Sequence, residues 1–284
     1  MHQGFDRMRV EPVFGVLEND RMARALADEL LALDPERPLF LFLNLSEAHQ
    51  LWDAVPEGHP WLPPRPATNN GSDDQYWQGD AARRAAYLEH IEPLYAYGVQ
   101  RADQTLARCL ALLEREGWLA EGSRLVLTTD HGELLGEHGW IDHGKNVYEP
   151  NNRAPLIAVG ADLPQLPALV NAMEVHPLLL RGELGGFPAE AAAFHSTELT
   201  ARTDGEFGTS DWLARWQDRE KLRWKDGEID RVDLAADPGE LSPEPASSAR
   251  LEALGQEVER ARVAADGELD PALQELLKAA GYLD

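Results

Sequence analysis

The sequence of 284 residues predicts an α/β fold with a central, mostly parallel β-sheet flanked by helices. A continuous apolar run at residues 39–43 is apolar on both faces, which is typical of a central parallel strand. Helical periodicity over 80–116 and a second apolar run at 124–129 complete a strand–helix–strand unit with an expected right-handed crossover. Beyond this α/β domain, residues 1–186, polar and apolar residues alternate, which predicts a small antiparallel α+β subdomain over 187–284.

Two helices are predicted from apolar residues at helical spacing, one over 21–33 and a longer one from Asp80 to about Glu116. Pro93 is expected to interrupt the longer helix, because proline has no N–H to donate and its ring crowds the preceding turn. Cys109, the single cysteine, excludes an internal disulfide. It lies on the apolar side of the longer helix, which indicates core packing.

The later elements follow from local signals. A short apolar run at 154–159 predicts another strand, and a helix is predicted over 168–181. Asp226–Gly227 lies between two alternating runs and predicts a two-residue hairpin turn. A polar helix over 247–263 and a short helix near 271–280 are expected to end the chain.

Composition excludes some classes of protein and partner. Apolar residues make up 43% of the chain, which favours a packed globule over disorder. The formal charge of −24 argues against nucleic acid as a partner, because phosphate would be repelled. No apolar run approaches the ~20 residues of a membrane span. The first residues show no signal-peptide pattern, which predicts a cytoplasmic protein. The sequence does not specify an oligomeric state.

Residues able to carry chemistry are concentrated near the end of the 124–129 strand. Asp130 and His131 follow it directly, and ligands bind at the carboxyl ends of strands in open α/β sheets. A carboxylate beside an imidazole suits a divalent metal that accepts O and N ligands, namely Mn²⁺, Mg²⁺, Ca²⁺ or Zn²⁺. His143 and Lys145 follow in a glycine-rich loop, and His49 lies just beyond the 39–43 run. Lys145 and a histidine suit an anionic tetrahedral group.

The segment TTDHGELLGEHGWIDHGKNVYEPNNRAPLI, residues 128–157, resembles the metal-binding segment of the sulfatases, within the alkaline phosphatase superfamily. The shared pattern is a strand, then S/T-D-H/N-G-E, then G-K followed by Y-E (GKNVYE here), and then R-x-P-L-I. Residues 38–49 resemble the family's strand that ends in a D/E-P-H-like motif, and residues 87–119 resemble its following helix. VDLAADPGE, residues 232–240, resembles the Y-D-L-x-x-D-P-x-E of the family's C-terminal subdomain.

The resemblance implies an alkaline phosphatase-like fold and a hydrolase that cleaves sulfate esters of small molecules or saccharides by metal-assisted nucleophilic displacement. It implies that Asp130 and His131 bind the metal, with Ca²⁺ the expected ion and Mn²⁺ or Mg²⁺ as alternatives. It assigns His49 and Lys145 to the sulfate and leaving-group oxygens, with His143 as a further catalytic residue. Two nearby residues are expected to support the loop structurally, Glu149 and Arg153.

The sequence also departs from the family pattern. Sulfatases begin with a strand that ends in an Asp–Asp pair, followed by a C/S-x-P-x-R motif that carries the nucleophile; neither occurs here. We therefore expect a partial sulfatase-like domain that starts partway through the family's fold, with no identified nucleophile and with activity in doubt. Two alternatives stay open. One is a phosphoester or phosphonate-ester hydrolase, favoured by Asp–His in place of Asp–Asn, and the other is a non-catalytic remnant.

Overall fold

The computed structural model describes most of the chain, including the elements around the candidate site. The residues described are 7, 21–34, 37–49, 58–60, 62, 76–77, 79–144, 146–193, 212–225 and 227–264. The helices are α1 (Arg21–Leu30), α2 (Ala81–Arg115), α3 (Val175–Arg181) and α4 (Ala249–Ala264). The strands are β1 (Leu125–Thr128), β2 (Leu134–Leu135), β3 (Ile141–Asp142), β4 (Leu156–Val159), β5 (Glu190–Ala193), β6 (Trp212–Gln217), β7 (Glu220–Lys225), β8 (Glu228–Asp233) and β9 (Glu244–Pro245).

Helix α2 is the longest element and forms the support on which the site loops pack. Its N-cap is Asp80, whose carboxylate accepts the backbone N–H of Arg83 at 2.9 Å. The predicted interruption at Pro93 is wrong, because the helix is continuous through it. The neighbouring residues Ile91 and Leu94 are buried in the core, and this packing stabilises the helix where proline removes a hydrogen bond.

The core on the other part of α2 confirms the structural interpretation of Cys109. Its side chain is fully buried, together with Leu112 and Leu113 of the same helix. Leu26 and Leu30 of α1 pack against them. The predicted helix at 21–33 is therefore present, with its regular part ending at Leu30.

The sheet beside the candidate site differs from the sequence prediction. β1 and β4 pair antiparallel, with Leu125 opposite Val159 and Thr128 opposite Leu156. Residues 39–43 form no strand, so the predicted parallel pairing and crossover are not formed among the described residues. Phe42 in this run is 69% exposed. A run that is apolar on both faces indicates that the segment favours burial. A strand also needs a hydrogen-bonded neighbouring strand, which the apolar pattern does not predict.

A short hairpin, β2–β3, follows the candidate metal pair and packs on α2. Its register places Leu134 opposite Asp142, so the backbone returns beside the loop it started from. The connection uses left-handed backbone at Gly136 and Gly139, and also at His138, where φ is 54°. Ile141 of β3 joins the buried cluster on α2.

The C-terminal strands form one antiparallel sheet in the order β5–β6–β7–β8–β9. The hairpin predicted at Asp226–Gly227 is confirmed by the pairing of Lys225 with Glu228, although Asp226 itself lies outside the described residues. Gly227 has φ of 92°, as a tight hairpin requires. The helix predicted over 247–263 is α4, whereas residues 271–280 lie outside the described residues.

The two faces of this sheet have different neighbours. Leu213 and Trp224 lie on one face and pack against Leu251 of α4. Trp212 and Ala214 lie on the other face and pack against Val147, which belongs to the loop after the candidate site. Across the described residues, no helix combines the length and apolarity needed to cross a membrane.

Candidate active site

Three histidines that are distant in sequence come together at the carboxyl end of β1. The His131 and His143 rings stack, with centroids 3.8 Å apart and an interplanar angle of 23°. The His49 ring approaches His143 edge-on, with centroids 5.9 Å apart. The structure therefore brings together three of the predicted site residues. Lys145, the remaining oxyanion-binding candidate beside His49 and His143, lies outside the described residues.

The Asp130–His131 pair has a geometry suited to a metal. The Asp130 side chain is 81% exposed, and its Oδ2 lies 3.7 Å from Nε2 of His131. The other His131 ring nitrogen, Nδ1, lies 2.8 Å from the carbonyl oxygen of Gly132. A carbonyl only accepts, so Nδ1 donates its proton there and Nε2 keeps a lone pair. Two such ligand atoms can share one cation, since each would lie about 2.0–2.5 Å from it.

A second group of ligand atoms surrounds His143. Its Nδ1 lies 3.2 Å from Oε2 of Glu133 and 3.1 Å from Oδ1 of Asp142. The three side chains offer atoms within 4.8 Å of one another, an arrangement that could hold a cation or orient the ring. Neither Glu133 nor Asp142 is among the site residues predicted from the sequence. The available signals were the glutamate of the S/T-D-H/N-G-E pattern and an aspartate directly before a histidine.

Glu133 also affects a tyrosine on α2. Burial raises the pKa of Tyr95, and the negative charges of Glu133 and Glu137 raise it further. The Tyr95 phenol therefore keeps its proton over the ordinary pH range. Since the Glu133 side chain is only 9% exposed, this edge of the site is screened from solvent.

Two close backbone approaches hold the site loops in place. A Cβ at Gly98 of α2 would lie 2.3 Å from the carbonyl oxygen of Glu47, two residues before His49. A Cβ at Gly132 would lie 1.9 Å from the carbonyl oxygen of Pro150. The Gly132 N–H donates to the carbonyl of Asn151 at 2.8 Å. Only glycine allows these approaches, so they fix the His49 loop on α2 and the Asp130–His131 loop on the 149–152 turn.

The residues expected to support the loop occupy the ends of that turn. Glu149 begins a single helical turn, Glu149–Asn152, and Pro150 is the second residue of this turn. The Arg153 N–H donates to the carbonyl of Glu149 at 2.8 Å and closes the turn, while the Arg153 residue is exposed. The Glu149 carboxylate accepts hydrogen bonds from the C-terminal sheet, from Trp216 at 2.7 Å and from Lys221 at 2.9 Å.

Chemically, the assembled residues offer oxygen and nitrogen ligands for a divalent cation beside imidazoles that can face an anion. The family model of the sulfatases matches residues 9–179, which is more than half of the chain. In sequence, the chain is 36% identical over 87 residues to an N-acetylglucosamine-6-O-sulfatase of Bacteroides thetaiotaomicron. It is 25% identical over 142 residues to an arylsulfatase of Clostridium perfringens.

These alignments cover part of each protein. The first spans 29% of this chain and 15% of the relative, and the second spans 45% of this chain and 29% of the relative. Among solved structures, the phosphonate monoester hydrolase of Agrobacterium radiobacter matches with a TM-score of 0.55 at 18% identity. That match covers 93% of this chain and 64% of the hydrolase. It confirms the predicted α/β fold class with a C-terminal antiparallel sheet, although the predicted central parallel pairing is not formed among the described residues. The matched family model shows that this chain belongs to the sulfatase family.

Proposed function

We propose that this chain carries the metal-binding and oxyanion-binding part of a hydrolase that cleaves sulfate esters of small molecules or saccharides. The observation that carries the proposal is the meeting of His49 and His143 with the Asp130–His131 pair, whose imidazole is fixed by the Gly132 carbonyl. The two similar sulfatases support a sulfate ester as the substrate. One of them is an N-acetylglucosamine-6-O-sulfatase, so a sulfated amino sugar is a substrate to test.

In this proposal, Asp130 and His131 bind a divalent cation, with Ca²⁺ expected and Mn²⁺ or Mg²⁺ as alternatives. When bound, the cation would supply positive charge beside the ester's oxygens as they gain negative charge. The hydrogen bond from His131 Nδ1 to the Gly132 carbonyl supports this role, because it leaves Nε2 facing the Asp130 carboxylate.

His49, His143 and Lys145 would bind the oxygens of the transferred group and of the leaving group. His143 is well suited to this role, because Glu133 and Asp142 face its Nδ1 and so direct the opposite ring nitrogen away from them. Lys145 is assigned from its place in the segment GKNVYE, residues 144–149. The sequence contains no C/S-x-P-x-R motif, so we assign no residue as the nucleophile.

A second candidate is hydrolysis of phosphate or phosphonate monoesters. It is favoured by one observation, the histidine at position 131 where many sulfatases have asparagine, and the fold likeness to a phosphonate monoester hydrolase is consistent with it. Both reactions transfer a tetrahedral anionic group, so the same residues would serve. They are separated by their substrates.

The test uses the full chain with an aryl sulfate, an aryl phosphate and a phosphonate monoester. We expect fastest turnover of the sulfate, and we expect Asp130→Asn to lower it at least ~100-fold, since a misplaced or lost reactive geometry costs on that scale. Asp218→Asn is the matched control, because Asp218 is exposed in the β6–β7 turn with φ of 56°, which asparagine also tolerates. Elemental analysis after dialysis would measure the bound metal.

Each outcome selects one alternative. Faster turnover of the phosphate or phosphonate would replace the sulfatase proposal with the second candidate. If the chain retained no divalent metal and hydrolysed none of the three esters, the non-catalytic alternative would be correct. If Asp218→Asn lowered activity as much as Asp130→Asn, the loss could not be attributed to the site.

A further inference from the structure

A buried lysine of the C-terminal sheet contacts the loop that follows the candidate site. Lys221 on β7 is fully buried. Its Nζ lies 2.5 Å from the carbonyl oxygen of Val147, 2.9 Å from Oε1 of Glu149 and 2.8 Å from Oε1 of Glu240. An ammonium group has three N–H donors, so each donor has an oxygen partner. Two of these partners, Val147 and Glu149, belong to the site loop and not to the sheet.

Glu149 is held from several directions at once. Its carboxylate also accepts the indole N–H of Trp216 at 2.7 Å, and its backbone N–H donates to Oε2 of Glu240 at 2.6 Å. Glu240 in turn lies 3.3 Å from Arg223, the next cation on the same face of β7. The sequence patterns that end in Glu149 and Glu240 are therefore joined through one buried lysine.

The same sheet face contacts the residue between Val147 and Glu149. The Arg223 guanidinium lies over the Tyr148 ring, 5.3 Å from its centroid. Val147 itself is fully buried against Trp212 and Ala214 of β6. The sheet therefore contacts three successive residues, beginning two positions after Lys145.

The contacts also extend to the candidate metal pair. Glu149 starts the turn whose Asn151 carbonyl accepts the Gly132 N–H, and Gly132 directly follows His131. One turn thus connects the Asp130–His131 loop with the segment after Lys145. A network that served only to stabilise the C-terminal sheet would not need partners in this turn.

We propose that Lys221 is a positioning residue: with Glu149 and Glu240 it holds the segment 146–149, and thereby keeps the preceding loop, which includes His143, in position for binding of a sulfate-like anion. The binding step rests on the proposed function, whereas the holding of the segment does not. Lys221 acts through the loop, since its donors are all taken by Val147, Glu149 and Glu240.

The experiment compares Lys221→Met with Leu251→Ala in the full chain. Leu251 is buried against the opposite face of the same sheet, so its truncation destabilises the sheet without touching residues 146–149. Two measurements are made under conditions where both variants are folded. One is hydrogen–deuterium exchange of peptides covering 143–149, and the other is the dissociation constant for inorganic sulfate by calorimetry.

We expect Lys221→Met to accelerate exchange over 146–149 and to raise the sulfate dissociation constant by about tenfold or more, because small displacements of binding groups have large effects. Leu251→Ala should leave both nearly unchanged. If Lys221→Met does not fold, the double variant Lys221→Met/Glu149→Gln is used in its place. It removes the lysine and one of its two carboxylate partners, while Arg223 still faces the other, Glu240.

Equal acceleration over 146–149 in both variants would mean that the segment follows the general stability of the sheet, and the proposal would be overturned. Accelerated exchange with unchanged sulfate affinity would overturn it as well. If the wild-type chain neither binds sulfate nor hydrolyses an ester, the proposed function fails. In that case the exchange comparison still decides whether Lys221 holds the segment.

Discussion

The C-terminal sheet and the β1–β4 pair differ in how their faces are covered. In the C-terminal sheet, α4 covers one face and the site loop covers the other, so Lys221 and Val232 are almost completely buried. In the β1–β4 pair, Ile157 is 52% exposed and Val159 is 57% exposed. Burial of apolar surface therefore stabilises the first sheet much more than the second.

This difference matters because the candidate site depends on both regions. Asp130 and His131 extend from the sparsely covered pair, directly after β1. The turn beginning at Glu149 is held by the closely packed sheet through Lys221. The candidate site therefore combines a loop that follows β1, which carries the two candidate metal ligands, with a turn that contacts the C-terminal sheet.

The largest effect is expected from Lys221→Met. Removing a fully buried cation leaves the carboxylates of Glu149 and Glu240 with less compensation, which should lower the free energy of unfolding by roughly 3–5 kcal/mol. Urea unfolding measures this change. The control is Arg231→Met, because Arg231 pairs with Glu244 at the exposed surface of the same sheet and should leave the midpoint unchanged. A Lys221→Met midpoint equal to the control would show that the buried lysine does not stabilise the C-terminal sheet.

A smaller but more local effect is expected from Gly132→Ala. The new Cβ would overlap the Pro150 carbonyl, so the Asp130–His131 loop must move away from the turn held by the C-terminal sheet. Such overpacking typically costs about 1–3 kcal/mol. The control is Gly239→Ala, whose Cβ would have ordinary contacts of 3.5 Å and longer with Leu241. Urea unfolding and metal retention should both change for Gly132→Ala alone. Equal metal retention in the two variants would show that the close approach does not position the pair.

Local chemistry in the sequence was sufficient to predict several elements of this fold. The Asp226–Gly227 hairpin follows from backbone geometry within a few residues, and its register is as expected. Cys109 was identified as a core residue from helical spacing alone. The prediction at residues 39–43 was wrong because an apolar pattern reports the preference of a segment for burial, whereas a strand requires a hydrogen-bonded neighbour.

Prediction of the candidate site from sequence was limited in the same way, because long-range contacts were not predicted. Asp130, His131, His49 and His143 could be selected by type and by position after apolar runs. Glu133 could not be placed beside His143 from spacing, because its approach depends on positive φ angles at several positions of the connecting hairpin. Asp142 precedes His143 directly, but spacing does not show that its carboxylate turns towards the ring. Lys221 pairs with Glu149 across 72 residues of sequence. No periodicity reports a pairing over that distance.

A pH-dependent effect is expected where the two regions meet. His138 stacks on Tyr148, with ring centroids 3.7 Å apart, and burial lowers the pKa of His138 below its ordinary value of 6.5. As the pH falls below 6.5, the unfolded chain takes up the proton before the folded chain does, so stability should decrease. In His138→Asn this part of the pH dependence should be absent, and asparagine tolerates the positive φ at this position. Urea unfolding midpoints of the wild-type chain and of the variant, each at pH 8 and pH 5, measure the two pH dependences. An identical decrease in the variant would assign the effect to other groups.

The smallest effect is expected from Val159→Thr on β4. The substitution preserves β-branching and places a hydroxyl where the side chain already faces solvent, so the free energy of unfolding should change by less than about 0.5 kcal/mol. The same substitution at Val232, which is 1% exposed in β8, would bury a hydroxyl and should cost roughly 1–3 kcal/mol. Because the chemical change is identical, urea unfolding of the two variants compares the coverage of the two sheets directly. A cost at Val159 as large as that at Val232 would mean that the β1–β4 pair is covered in solution, and the contrast between the two sheets would then disappear.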